Sequence, residues 1–395
     1  MRVLVGLTLW AAACGPDSTG STTPGNDAAT TATTDRDSAS SSGDAATAAP
    51  TDSGAPPDDS ATTTSSDSAT ATAHDTSSGD SSTPPADTAV APDPDATWFS
   101  APMPWTRPVD GLDPSAESEA IIGDLADNGG WGNGNFFQID FSIDVLEADA
   151  SDPVLAFEPT DDWYDVECDP GPMPVPAGGA VEGEDTYECA GDGDCHLIVR
   201  DGGNRMLYEM WRANIVDGTF YGGCLAIWDL DRAYGPEGRG LDCSSADAAG
   251  LPIAPLLFTA EEVASGHIDH AIRFILPNPR IRHRVYVAPG THSTNPTDGG
   301  PDAPPYGVRF RLRGDYPLET LPNDGARTVA RALQKYGMFL ADAGQIALTA
   351  RSDRYGTASW DGLLGPRDLG ALSVDDFEVV ELGTAQDYHG DCVRQ

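Results

Sequence analysis

The chain has 395 residues, with 63 acidic against 22 basic side chains and a net charge of −41 at neutral pH. Binding to DNA or RNA without sequence preference needs a basic surface, so nucleic acid is excluded as an expected partner. The only stretch that could be considered for crossing a bilayer lies at the N-terminus, and it is too short.

The first residues have the pattern of an export signal. Arg2 precedes a short apolar run at residues 3–10, and small residues then lead to Cys14. This pattern resembles the bacterial lipoprotein signal, although Ala11 stands where Leu is usual. The resemblance implies a signal peptide over residues 1–13 and a lipid-modified Cys14. It places the protein in the bacterial cell envelope, outside the cytoplasm, and Gly15 after the cysteine favours the outer membrane.

Residues 14–96 form the expected tether between that anchor and the rest of the chain. From Gly15 to Ala96 nearly every residue is Ser, Thr, Ala, Asp, Pro or Gly, and none is aromatic. Such a segment cannot bury enough apolar surface to offset the entropy lost on ordering, so a disordered linker is predicted. A flexible chain of this length spans roughly 50 Å. A globular domain is expected over residues 97–395.

Alternating apolar and polar residues indicate that this domain is mostly β. The Asp217-Gly218 dipeptide predicts a hairpin turn. Two short helices are expected, one at residues 326–337 and one at 259–266, where Thr259 and Glu262 form a capping box. We therefore expect a two-sheet antiparallel sandwich of jelly-roll type. The predicted strands are 137–145, 196–200, 205–213, 223–229, 281–287, 308–313 and 377–382.

The cysteine count agrees with export. Six cysteines follow Cys14, and an even number in an exported chain favours disulfides, with fifteen connectivities open. The pairs we expect are Cys189 with Cys195, Cys224 with Cys243, and Cys168 with Cys392.

Metal-binding patterns are weak. No CxxC pair is present, so no metal site and no cofactor are predicted. Acidic loops at residues 149–152 and at Asp185, Asp192 and Asp194 could hold Ca²⁺, although EF-hand spacing is absent.

Glu209 is the first candidate catalytic residue. If the turn at 217–218 pairs the flanking strands without a bulge, Glu209 lies opposite Ala226 and shares a face with Trp211 and Trp228. Aromatic rings stack on sugars, and a semi-buried carboxyl with a raised pKa can act as a general acid. The alternative is that this face is core and Glu209 is paired there.

Arginines form a second candidate feature. Arg309 and Arg311 share one side of a predicted strand, and Arg282 and Arg284 share one side of another. Arginine binds carboxylate, sulfate or phosphate in bidentate geometry, so Arg309 and Arg311 could bind an acidic glycan. The alternative is a ladder of ion pairs with acidic residues on a neighbouring strand.

His270 and His292 are the remaining catalytic candidates. Histidine can act as acid or base near neutral pH, and His270 lies in the run Gly266-His-Ile-Asp-His-Ala-Ile-Arg273. No HExxH or similar spacing accompanies either residue, and a structural role is the alternative.

Several runs resemble those of a group of secreted bacterial proteins. The resemblance covers roughly residues 205–382 and implies export and a shared fold, but it brings no activity and no catalytic residue. The runs are 245–253, 262–263, 267–274, 304–305, 309–312 and 335–338.

Together these patterns predict a membrane-anchored lipoprotein of the cell envelope. The leading functional hypothesis is a glycan-active hydrolase or lyase with Glu209 as its acid. A non-catalytic glycan-binding or adhesion module and a structural envelope protein are the alternatives.

Overall fold

The computed structural model describes residues 98–161, 166–191 and 193–395. The expected signal peptide, Cys14, the linker and Asp192 lie outside the described residues. Within these ranges, every helix is too short or too polar to cross a membrane.

The described part of the chain contains short elements joined by turn-rich loops. Its helices are α1 (Ser118–Asp127), the single turn α2 (Gly132–Asn135), α3 (Ala260–Ser265) and α4 (Asp324–Lys335). Its strands are β1 (Ile139–Ile143), β2 (Val145–Ala148), β3 (Val154–Leu155), β4 (Glu158–Pro159), β5 (Met173–Pro174), β6 (Leu197–Asp201), β7 (Met206–Trp211), β8 (Asn214–Val216), β9 (Thr219–Gly222), β10 (Cys224–Asp229), β11 (Gly240–Leu241), β12 (Ile272–Leu276), β13 (Val285–Tyr286), β14 (Arg309–Leu312), β15 (Met338–Ala343), β16 (Leu348–Arg351), β17 (Phe377–Val380), β18 (Gln386–Asp387) and β19 (Val393–Arg394).

The prediction of a mostly β domain is confirmed, but a jelly-roll sandwich is not. The largest sheet has six strands in the order β1-β16-β12-β15-β14-β17. It is mixed rather than antiparallel, because β1 runs parallel to β16 and β12 runs parallel to β15. A second sheet has the order β10-β7-β6-β2, and its β2–β6 pair is also parallel.

The two faces of the six-stranded sheet differ in chemistry. Phe274, Phe310 and Phe377 lie on one face, where their rings pack around the buried Trp131. Arg273 and Arg309 lie on the other face, because both are register partners of Phe339 on β15. The aromatic face supplies core packing, and the opposite face carries buried charge.

The four-stranded sheet is buried on both faces. Ile198, Leu207 and Ala226 belong to the main core, whereas Leu197 and Met210 belong to a smaller second core. This split follows the alternation of side chains along a strand. Glu209 on β7 therefore points into the main core.

The helix cap and the hairpin turn that the sequence predicts are both confirmed. The Thr259 side chain accepts from the N–H of Glu262, and Gly266 ends α3 in a left-handed conformation. Asp217 and Gly218 both have positive φ and close a hairpin of β8 and β9. This small hairpin lies between β7 and β10 in the chain.

The predicted strand at residues 137–145 is in fact two strands. β1 joins the six-stranded sheet and β2 joins the four-stranded sheet, so the chain changes sheets at Asp144. Asp144 is buried and accepts from Arg354 at 3.1 Å.

Three disulfides brace the domain. Cys189–Cys195 is confirmed. The other two expected pairs were wrong, since Cys168 joins Cys224 and Cys243 joins Cys392. Sequence spacing does not determine these two pairs: the observed separations are 56 and 149 residues, and they are set by how the fold brings the chain together.

Candidate functional site

Glu209 lies where the hairpin register predicted, opposite Ala226. Its Oε1 accepts from the backbone N–H groups of Ile253 and Ala254, both at 2.8 Å, and its Oε2 accepts from the indole of Trp228 at 3.0 Å. Burial raises its pKa to about 7. The carboxyl group is therefore perturbed, but all its contacts are internal.

The expected role of Glu209 as an accessible acid does not fit this environment. Its exposed fraction is 0%, and that of Trp228 is 1%. A ring with no free face cannot stack on a sugar. Trp211 is half-buried and donates its indole N–H to Asp194. This arrangement favours the alternative stated above, in which this face is core and Glu209 is paired there.

Arg309 and Arg311, the expected anion-binding pair, are also held in internal contacts. Arg309 donates to the Tyr336 carbonyl and to Glu381, and Arg311 donates to Glu378 and to the Leu112 carbonyl. Both side chains are buried. The ion-pair alternative is nearer to the structure. The acidic partners are Glu378 on β17 and Glu381 directly after it, rather than residues of β1.

His270 and His292 are both held in internal contacts. His270 contacts Glu262 at 3.2 Å and the Ala271 carbonyl at 2.8 Å. His292 is 1% exposed, with Glu167 at 3.1 Å and the Ala248 carbonyl at 2.6 Å. Each imidazole thus has both ring nitrogens engaged, which favours the structural alternative.

The described acidic loops make internal contacts rather than a cation cage. Asp149 and Asp152 accept from backbone N–H groups of their own turn, and Asp185 pairs with Arg354. The one group of potential metal ligands among the described residues is Glu184 with Cys189 and Cys195. Those two thiols form a disulfide, so they cannot bind a metal.

A different constellation lies on the charged face of the six-stranded sheet. Arg273 donates to both carboxylate oxygens of Asp247, at 2.8 and 2.9 Å, to Thr349 at 2.6 Å and to Asp342 at 3.2 Å. We call Arg273 and the polar residues grouped around its guanidinium the Arg273 cluster. Its members are Asp140, Ser142, Glu182, His196, Asp247, Arg273, Asp342 and Thr349.

Four adjacent strands of the sheet supply members of the cluster. Asp140 on β1 is the register partner of Thr349 on β16, Arg273 follows on β12, and Asp342 on β15. Asp342 reaches this face because a register shift between β12 and β15 places it beside Ile275. Parallel pairing, which the sequence did not predict, therefore builds the site.

The remaining carboxylates of the cluster, Asp247 and Glu182, lie on two loops rather than on strands of the sheet. The loop around Asp247 is fixed by the N–H of Ala249, which donates to the Ala341 carbonyl at 2.8 Å. Ser245 reinforces this loop by donating to the Leu251 carbonyl at 2.6 Å. Small residues let the loop lie flat on β15, which explains the run Ser-Ser-Ala-Asp-Ala-Ala-Gly.

Glu182 is held by a histidine and a serine. His196 contacts Glu182 at 2.7 Å through Nδ1 and the Ala246 carbonyl at 3.1 Å through Nε2. Ser142 donates to the other Glu182 oxygen at 3.0 Å. With acceptors on both ring nitrogens, His196 is suited to the protonated form.

The carboxyl groups of the cluster have opposite pKa shifts. Burial, assisted by the charge of Asp247, raises the pKa of Asp342 to about 8. Burial also raises the pKa of Asp140. Burial acts in the same direction on Glu182, but His196 and Arg273 outweigh it and the pKa of Glu182 is lowered. At neutral pH the cluster therefore contains one carboxyl that retains its proton, Asp342, and another that is ionised, Glu182.

The cluster is partly exposed to solvent. The side chains of Asp342 and Glu182 are 25% and 20% exposed, whereas those of Asp247 and Arg273 are 0% and 4% exposed. We call the two partly exposed carboxyls, Asp342 and Glu182, the rim of the cluster. A proton donor and an anion within one cluster can support acid-assisted bond cleavage.

Sequence reasoning missed this site because its members are spread over about 200 residues without a local motif. Two signals were present. Arg273 and Asp342 each interrupt an apolar run, Ala-Ile-Arg-Phe-Ile-Leu and Met-Phe-Leu-Ala-Asp-Ala. A charged residue inside a buried strand requires a partner, so each was a candidate for a buried ionic site.

Comparison with known proteins brings no further constraint: no family model, no curated protein and no solved structure matches the chain.

Proposed function

We propose that the chain is an exported, membrane-tethered hydrolase that cleaves glycosidic bonds at the Arg273 cluster. The observation that carries the proposal is that one partly exposed cluster contains two carboxyls of opposite character, Asp342 with a raised pKa and Glu182 with a lowered pKa. Glycoside hydrolysis needs a protonated carboxyl to donate to the leaving oxygen and an ionised carboxylate to stabilise or attack the sugar. Asp342 would take the first role and Glu182 the second.

The remaining members would support these two roles. Asp247 helps keep Asp342 protonated, because its negative charge disfavours a second anion nearby. His196 and Ser142 hold Glu182 in the ionised form and fix its orientation. The exposed rim consists of carboxyl groups, so the proposed substrate is a neutral glycan rather than an acidic one.

The cellular setting rests on the N-terminal sequence and on the disulfides. Three disulfides are typical of proteins outside the cytoplasm. Acylation at Cys14 and a linker of about 80 residues would let the domain work at some distance from a membrane. Loss of radiolabelled palmitate incorporation in Cys14→Ser would support this setting, and unchanged incorporation would contradict it.

The hydrolase proposal is tested by measuring reducing-end release from a panel of neutral glycans with the full chain. We expect turnover to fall as pH rises through about 8, because Asp342 must carry a proton. Asp342→Asn and Glu182→Gln should each lower kcat by at least about a hundredfold.

Asp361→Asn is the matched control, because Asp361 is an exposed carboxyl outside the cluster. Glycan binding without product from the wild-type chain would favour the binding-module alternative. Absence of both binding and product would favour a structural envelope protein. Equal activity in the Asp342 and Asp361 variants would refute the assignment of the acid.

A further inference from the structure

A cavity of about 650 Å³ lies beside Arg309, away from the carboxyl rim of the Arg273 cluster. Its size falls in the range of small-molecule sites. Prolines dominate the wall and give it a rigid apolar surface; they are Pro102, Pro104, Pro108, Pro236 and Pro289.

Larger apolar groups complete the wall. Met103, Tyr234 and Phe339 also line the cavity. Tyr234 is held in place by edge contacts with Phe99 and Trp228, at ring-centroid distances of 5.7 and 5.1 Å. Because these rings and prolines are already fixed, they lose little conformational entropy when a ligand binds. Such a wall suits a flat apolar ligand.

The charged groups of the cavity are two arginines and one glutamate. Glu381 pairs with the buried Arg309 at 2.9 Å and with Arg107 through its other oxygen. The Arg107 side chain is 62% exposed. The net charge of these three groups is positive, although the whole chain is strongly acidic.

The backbone at Glu381 adds an independent observation. Glu381 has φ of 53°, a left-handed conformation that is costly for a residue with a side chain. Strain of this kind is concentrated at ligand sites, where the surrounding structure holds a side chain in place. Here it keeps a carboxylate between the two guanidinium groups and leaves the outer side of Arg107 open to solvent.

We propose that this cavity binds a small organic acid with a flat apolar body, its anionic group on Arg107 and its body against the proline wall. A guanidinium group recognises carboxylate or sulfonate through paired N–H donors. The apolar body of the ligand would displace water from the proline wall of the cavity. This ligand site is independent of the proposed glycan hydrolysis.

The test is calorimetric titration of the full chain with 2-naphthoate, with 2-naphthalenemethanol as the neutral analogue of the same shape. We expect saturable binding of the naphthoate, about fivefold tighter than the alcohol, as for one partly exposed charge interaction. Glucuronate, which has the charge without the apolar body, should bind more weakly than naphthoate.

Two variants should move the affinity in opposite directions. Arg107→Gln should weaken naphthoate binding about fivefold, and Glu381→Gln should strengthen it, because a competing anion is removed while an oxygen acceptor for Arg309 remains. Arg313→Gln is the matched control, since Arg313 is half-exposed near the same sheet but does not line the cavity.

Three results would overturn the proposal. The first is no saturable binding by the wild-type chain. The second is equal affinity for naphthoate and the alcohol, or tighter binding of glucuronate than of naphthoate. The third is an equal response of the Arg107 and Arg313 variants. Glycan hydrolysis is measured separately, so either proposal can fail without the other.

Discussion

Glu209 and Asp342 are both carboxyl groups whose pKa is raised by burial, yet their surroundings differ. Glu209 accepts three hydrogen bonds from buried donors and has no exposed surface. Asp342 accepts from Arg273 and from the N–H of Ala343, and a quarter of its side chain is exposed. A shifted pKa therefore marks a buried environment, and access to solvent decides whether that environment can do chemistry.

The largest effect expected from this comparison is on stability at Glu209. Glu209→Ala removes the acceptor from three buried donors, so the free energy of unfolding should fall by about 3–5 kcal/mol. Glu209→Gln should cost about 1–3 kcal/mol, because its NH₂ group cannot accept from one of those donors. Urea denaturation of the full chain measures both values.

The same variants separate structure from catalysis. If Glu209 is structural, the folded fraction of Glu209→Gln should retain its turnover per molecule. A loss of turnover without a loss of stability would reverse the roles assigned to Glu209 and Asp342.

The pH dependence of stability should differ in slope between the wild-type chain and Asp342→Asn. The folded-state pKa of Asp342 is raised from 3.8 to about 8, so its stabilising contribution is full below about pH 4 and is lost as pH rises to about 8. Asparagine is neutral throughout and removes that slope. Unfolding measured at several pH values with Asp361→Asn as control tests this, and identical slopes would contradict the raised pKa.

The smallest effect expected is at Ser142, which donates to Glu182 at 3.0 Å. Ser142→Ala should lower stability by about 1 kcal/mol and should raise the pKa of Glu182, since the hydroxyl favours the ionised form. The acid limb of the pH–rate profile should then move to higher pH. An unmoved limb would show that Glu182 does not control turnover.

The sequence was most informative where local geometry decides the structure. The register that places Glu209 opposite Ala226, the capping box at Thr259 and the helix now called α4 were all predicted. These features depend on turn residues, hydroxyl and carboxylate caps, and periodic apolar residues within a short stretch.

The sequence was least informative for the middle strands of the six-stranded sheet. β12, β15 and β16 are short and buried on both faces, so their apolar residues do not alternate as they do in a half-exposed strand. The Arg273 cluster depends on the pairing of these strands. The aromatic and arginine patterns that suggested a site instead belong to the core, where composition alone does not distinguish a cleft from packing.

The parallel pairing of β1 with β16 has a consequence for how the domain folds. Ile139 is the register partner of Leu348, about 200 residues later in the chain. During synthesis from the N-terminus, β1 has no neighbour until residue 348 has been made, and such non-local closure slows folding and exposes strand edges. Completion of the site and completion of the sheet would then be one late event, because Asp140 and Thr349 meet on that pair of strands.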